Sequence, residues 1–138
     1  MEKNTTKFAL QRDAYDDVVI LCCLDKLQFD PVPLQRLFAA KTEEEAEQIV
    51  CRVLEELATQ LAGLQQGLAA QNFAVMLKLC RKIRLVAEQI GLTEMAITAG
   101  HIQTCLKQSD GIALEATLAR LERAFDFAVS EVWNFRQR

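Results

Sequence analysis

Four cations, Lys78, Arg81, Lys82 and Arg84, fall within seven residues, and the chain carries one histidine, His101, and five cysteines, Cys22, Cys23, Cys51, Cys80 and Cys105. An arginine here can pair bidentately with a carboxylate or phosphoryl group. It cannot act as nucleophile or base, because a guanidinium stays protonated at any relevant pH and has no free lone pair. A single histidine argues against a metal site, and no Cys/His pair has ligand spacing. The cysteines are odd in number, lack a CxxC pair and stand mostly at apolar positions, so they read as reduced, buried thiols of a cytoplasmic protein. Cys80 adjoins Arg81, and a nearby cation can make a thiol reactive, but Cys80 also lies on an apolar stripe and reads as a core residue. These types and spacings point to recognition rather than catalysis, with no enzyme activity, cofactor or metal expected.

The element that positions the cations spans residues 72–92. Phe73, Met76, Cys80, Ile83, Ala87 and Ile90 recur at spacings of three and four, which makes one apolar stripe on an α-helix. Lys78, Arg81, Lys82 and Arg84 occupy the opposite face, with Leu85 among them and Leu77 beside it. Asn72 is the expected N-cap, and Gly91 stands where a left-handed residue would end the helix.

Around this element the sequence predicts helices throughout. Asp30, Pro31 and Pro33 break the chain before a short helix carrying Leu34, Leu37 and Phe38 that ends near Lys41. Thr42 and Glu45 form a capping box, with Glu43, Glu44 and Glu45 in the first turn where the helix dipole favours them. The helix that follows has the stripe Ala46, Ile49, Val50, Val53, Leu57, Leu61, Leu64 and Leu68. Its opposite face reads as Glu47, Arg52, Glu55, Glu56 and Gln60. Thr93 and Glu94 restart a helix with Met95, Thr98, Ala99, Ile102, Cys105 and Leu106 inward. After a turn at Ser109, Asp110 and Gly111, the last helix carries Leu114, Leu118, Leu121, Phe125, Ala128, Val132 and Phe135 at a bundle spacing. Residues 13–27 are ambiguous, since the run VVILCCL suits a strand. With no partner strand in the chain its backbone would go unpaired, so a helix is expected there.

Amphipathic helices joined by short turns imply an all-α fold, an up-and-down antiparallel four-helix bundle with one or two extra short N-terminal helices. At 138 residues the chain suits one domain, here a bundle over 29–138 preceded by an N-terminal extension over 1–28. With 51% hydrophobic and 25% charged residues it reads as an ordinary globular chain. A formal net charge of −3 gives it no general reason to bind nucleic acid or an anionic membrane. The longest apolar run, residues 18–24, is far below the ~20 residues needed to cross a bilayer.

Residues 81–91, RKIRLVAEQIG, resemble the signature of histidine-containing phosphotransfer (HPt) domains, roughly His-x-Leu-Lys-Gly-Ser-Ala-x-x-Leu-Gly. The resemblance extends over residues 29–135. Ile83, Ala87, Ile90 and Gly91 match its apolar and small positions, and Arg84 keeps the charge of its lysine. Arg81 stands where the family has its phosphorylatable histidine, and Leu85 replaces the glycine after the lysine. The resemblance implies the HPt type of four-helix bundle in a bacterial two-component phosphorelay, yet Arg81 excludes phosphotransfer through this position. It further implies docking on the receiver domain of a response regulator or hybrid histidine kinase, with Arg81 reaching the receiver's acidic pocket. Lys78, Lys82 and Arg84 would steer the encounter, Leu85 would form an apolar centre, and Gln103 would orient Arg81.

Two other readings follow from the same residues. The cationic face is a solvated surface in an oligomeric or structural bundle, with residues 13–27 making a homodimer contact. Alternatively, His101 carries a phosphoryl group. His101 lies two residues before Gln103, about 200° around a helix, which turns it away from the Arg81 face.

Overall fold

A computed structural model describes residues 29–137 of the protein. Within them lie five helices and no strand: α1 (Val32–Ala40), α2 (Glu43–Ala70), α3 (Phe73–Gln89), α4 (Thr93–Gln108) and α5 (Gly111–Gln137). The expected all-α class holds for these residues. The helix expected over 13–27, its dimer contact, and Cys22 and Cys23 lie outside the described residues.

The helix boundaries follow from local chemistry. The Thr42 hydroxyl accepts from Glu45 N at 3.1 Å, and the Glu45 carboxylate accepts from Thr42 N at 3.2 Å, so the capping box starts α2 as its spacing implies. Gln71, at φ 56°, ends α2 in the left-handed region, and Asn72 N donates to Gly67 O at 2.8 Å. The Asn72 side chain then accepts from Val75 N at 3.3 Å and opens α3. Gly91 ends α3 at φ +83°, and Leu92 N donates to Ala87 O at 2.8 Å. At the last turn the positive φ falls on Ser109 rather than on Gly111, which begins α5. Asp110 caps that helix by accepting from Ala113 N at 3.1 Å.

Each long helix packs on the next, α2 on α3, α3 on α4, α4 on α5, and α5 returns to α2. The short turns require each to run back along its predecessor. At 1.5 Å per residue, α2 and α5 are roughly 40 Å long and α3 and α4 roughly 25 Å, so the first half of α2 and the last half of α5 extend past the α3–α4 turn. That space is filled by α1. Leu34 is fully buried, and Phe38 meets Phe135 of α5 with ring centroids 5.8 Å apart. Arg136 near the end of α5 pairs with Glu47 and Glu43 near the start of α2, which ties the two overhanging ends together.

The core is a single cluster drawn from all five helices. Leu57, Leu64, Met76, Ile83, Ile102 and Leu121 are fully buried, so the stripes read from the spacing meet at its centre. Two positions depart from the expected faces. Phe73 is 46% exposed, because it is the first residue of α3 and borders an open pocket at the α4–α5 turn with Ser109, Asp110 and Gly111. Gln60, expected among the solvent-facing residues of α2, is 7% exposed. It sits at the edge of the α2 stripe, where the close approach of α3 covers it. That approach is tight at Gly67, where a Cβ would stand 2.7 Å from Met76 Cγ.

Candidate functional site

The chemistry-bearing residues of α3 are set by its register. Met76, Cys80, Ile83 and Ala87 are fully buried, which fixes the helix rotation and turns Lys78, Arg81, Lys82, Arg84 and Leu85 to solvent. Leu85 is 58% exposed, a large apolar side chain among cations, and Leu77, two turns earlier on the helix rather than beside it, is half-buried.

The four cations are not equivalent. Arg84 is held: its Nη1 donates to Gln103 Oε1 at 3.3 Å, and its Nε lies 3.6 Å from Glu88 Oε2 one turn on. It crosses the α3–α4 groove above Gly100, where a Cβ would stand 3.9 Å from Arg84 Nη1. Lys78, Arg81 and Lys82 make no ion pair with any described residue and are exposed. Gln103 therefore positions Arg84 rather than Arg81, a correction to the expected pairing. The physical reason is register: Gln103 on α4 faces the Arg84 level of α3, and Arg81 lies on the outer side of the helix.

His101 turns towards α5, with its Nδ1 3.3 Å from Arg120 Nη2. A guanidinium only donates, so Nδ1 is the accepting atom of this contact. His101 also borders an open cavity of about 270 Å³ with Arg84, Glu88, Thr93 and Gly100, so it is nearer to Arg84 than the helical rotation alone suggests. Neither Arg120 nor Glu88 stood out in the sequence, because their roles depend on which helices become neighbours.

Cys80 is fully buried, and burial pushes its thiol up to about 12, so the adjacent Arg81 does not activate it. Cys105 is half-buried, with its Sγ 3.7 Å from the Thr117 hydroxyl. Cys51 is exposed, contrary to the expectation of buried thiols, because it lies outside the α2 stripe. Among the described residues no three His, Cys, Asp or Glu side chains come together as a metal site, and no helix is long and apolar enough to cross a membrane.

On this geometry, three exposed cations that make no ion pair among the described residues, around an exposed leucine, can bind an anionic surface, and the buried thiol takes no part. No protein-family model, curated protein or solved structure matches the chain.

Proposed function

We propose that the protein is a non-catalytic, HPt-like signalling protein of the four-helix-bundle type. It docks through α3 on a response-regulator receiver domain or a histidine-kinase module and carries no phosphate. One observation carries the reading: Arg81, at the position of the HPt histidine, is exposed and free of ion pairs among the described residues, with Lys78 and Lys82 beside it. A fork of guanidinium donors in that place suits a carboxylate or phosphoryl group and cannot accept a phosphoryl group covalently. The exposed Leu85 supports docking, since interfaces combine an apolar centre with a charged rim. Arg84, held by Gln103 and Glu88, shapes the margin of the surface and leaves ligand pairing to Arg81.

The test is binding of receiver domains from the same cells to wild type, Arg81→Glu and Leu85→Asp, measured by calorimetry. Each substitution should weaken binding at least ~10-fold, as expected for a central interface residue. Unchanged affinity in both variants refutes the docking surface. Phosphoryl labelling of the wild type that is lost in His101→Gln would refute the non-catalytic reading.

A further inference from the structure

A second face of the molecule, away from α3, has the opposite charge and its own apolar centre. It is formed where α5 returns to α2, and it is placed by Arg136 against Glu47 and by the Gln65 amide donating to Glu122. On α5, Val129 and Trp133 lie one turn apart and are 39% and 61% exposed. Opposite them on α2 are Cys51 and Ala58, both exposed, and neither carries charge into the patch. Trp133 is the chain's single tryptophan.

The rim is acidic on both sides. Glu122 and Asp126 continue the Val129 stripe along α5, and Glu44, Glu47 and Glu55 continue the Cys51 stripe along α2 at helical spacing. One cation of this face, Arg136, is already paired to Glu47 and Glu43. Arg52 borders the same open groove as Glu44, Glu47, Cys51 and Glu55 and stands at its outer margin, where the carboxylates outnumber it, and Arg123 is one residue further round α5 than Glu122.

An exposed tryptophan beside a valine, ringed by carboxylates, has the composition of a docking site whose partner supplies cations around an apolar stripe. We infer that the α2–α5 face binds a basic amphipathic helix of a partner protein. The partner's apolar side chains cover Trp133 and Val129, and its lysines or arginines lie against Glu122, Asp126 and Glu55. An acidic helix would meet like charge at Glu122, Asp126, Glu44 and Glu55. This surface is separate from Arg81 and does not depend on the docking proposed for α3.

The full chain is titrated with a synthetic peptide of about 18 residues, five helical turns of leucine and lysine with one apolar face, and Trp133 emission is followed. The expected result is a saturable shift to shorter wavelength as the indole leaves water, and no shift with the leucine–glutamate counterpart. Val129→Asp and the double variant Glu122→Lys/Asp126→Lys should each bind at least ~10-fold more weakly. Glu131→Lys, which makes the same kind of charge change on the other side of the buried stripe of α5, should bind within about twofold of wild type, since a charge outside the contact affects only screened, long-range attraction. Far-UV circular dichroism confirms that each variant is folded. Absence of a shift, or equal binding by all variants, overturns the inference. So does a blue shift that grows with protein concentration without peptide, since the occupant would then be the basic α3 face of a second copy.

Discussion

Replacing Gly91 by alanine should be among the most damaging single-methyl additions in this protein. Gly91 holds φ +83°, and a Cβ there would stand 1.9 Å from the Asp30 carbonyl oxygen, far inside contact distance. The neighbour is backbone, so no side-chain rotation relieves the overlap. Alanine carries about 1–2 kcal/mol for the left-handed conformation itself. The residue 29–30 segment must also move, which breaks the 2.8 Å hydrogen bond from Asp30 N to Gly91 O, at about 1 kcal/mol. Phe29, half-buried against the core, is displaced with it and adds a fraction of its burial energy. The sum is about 3 kcal/mol, a large part of the stability of a small domain. The assay is urea unfolding followed by the helical far-UV signal, with Gly111→Ala as the comparison. A Cβ on Gly111 meets nothing within 4 Å, so that variant should stay within about 0.5 kcal/mol of wild type or be slightly more stable. If Gly91→Ala unfolds at the wild-type urea concentration, or if both variants lose the same amount, the reasoning about the α3–α4 turn is wrong.

Three further outcomes follow from burial. Gln60→Met should be neutral or stabilising by up to ~1–2 kcal/mol in the same urea assay, because Gln60 Oε1 is buried without a partner and its amide NH2 is held by Glu56 alone. Ile83→Ala should cost about 2–5 kcal/mol, whereas Leu85→Asp, two residues along the same helix but 58% exposed, should change stability by no more than ~0.5 kcal/mol. Cys80 is held neutral in the fold, with its thiol raised from 9.0 to about 12, so its stabilising contribution is complete below pH 9 and is lost as pH rises from there towards 12. Urea midpoints of wild type should therefore fall more steeply above pH 9 than those of Cys80→Ala, and a thiol reagent at neutral pH should label Cys51 and spare Cys80 in the folded protein.

The two faces of the molecule differ in how far they could be read in advance. The α3 face was legible because helical periodicity separates Met76, Cys80, Ile83 and Ala87 from Lys78, Arg81 and Lys82 without any knowledge of neighbours. The α2–α5 face was not, because Trp133 and Cys51 lie 82 positions apart in the numbering, and only the return of α5 to α2 brings their stripes side by side. Each stripe read singly is an ordinary solvated helix surface. The same limit explains Gln103, whose partner depends on the relative register of α3 and α4.

The sequence alone determined the helices and most of their ends, because caps, breakers and apolar spacing act within a few residues. Thr42 with Glu45, Asn72 and Gly91 each did what local chemistry requires, and the buried stripes followed from period. Tertiary structure decided what local period cannot: that α1 fills the space left by two short helices, that Gln60 is covered and Phe73 is not, that Arg84 is held while Arg81 has no ion pair among the described residues, and that an acidic apolar face forms across α2 and α5. These depend on helix lengths and on the rotation and register of one helix against another, and those are set by how the whole core packs.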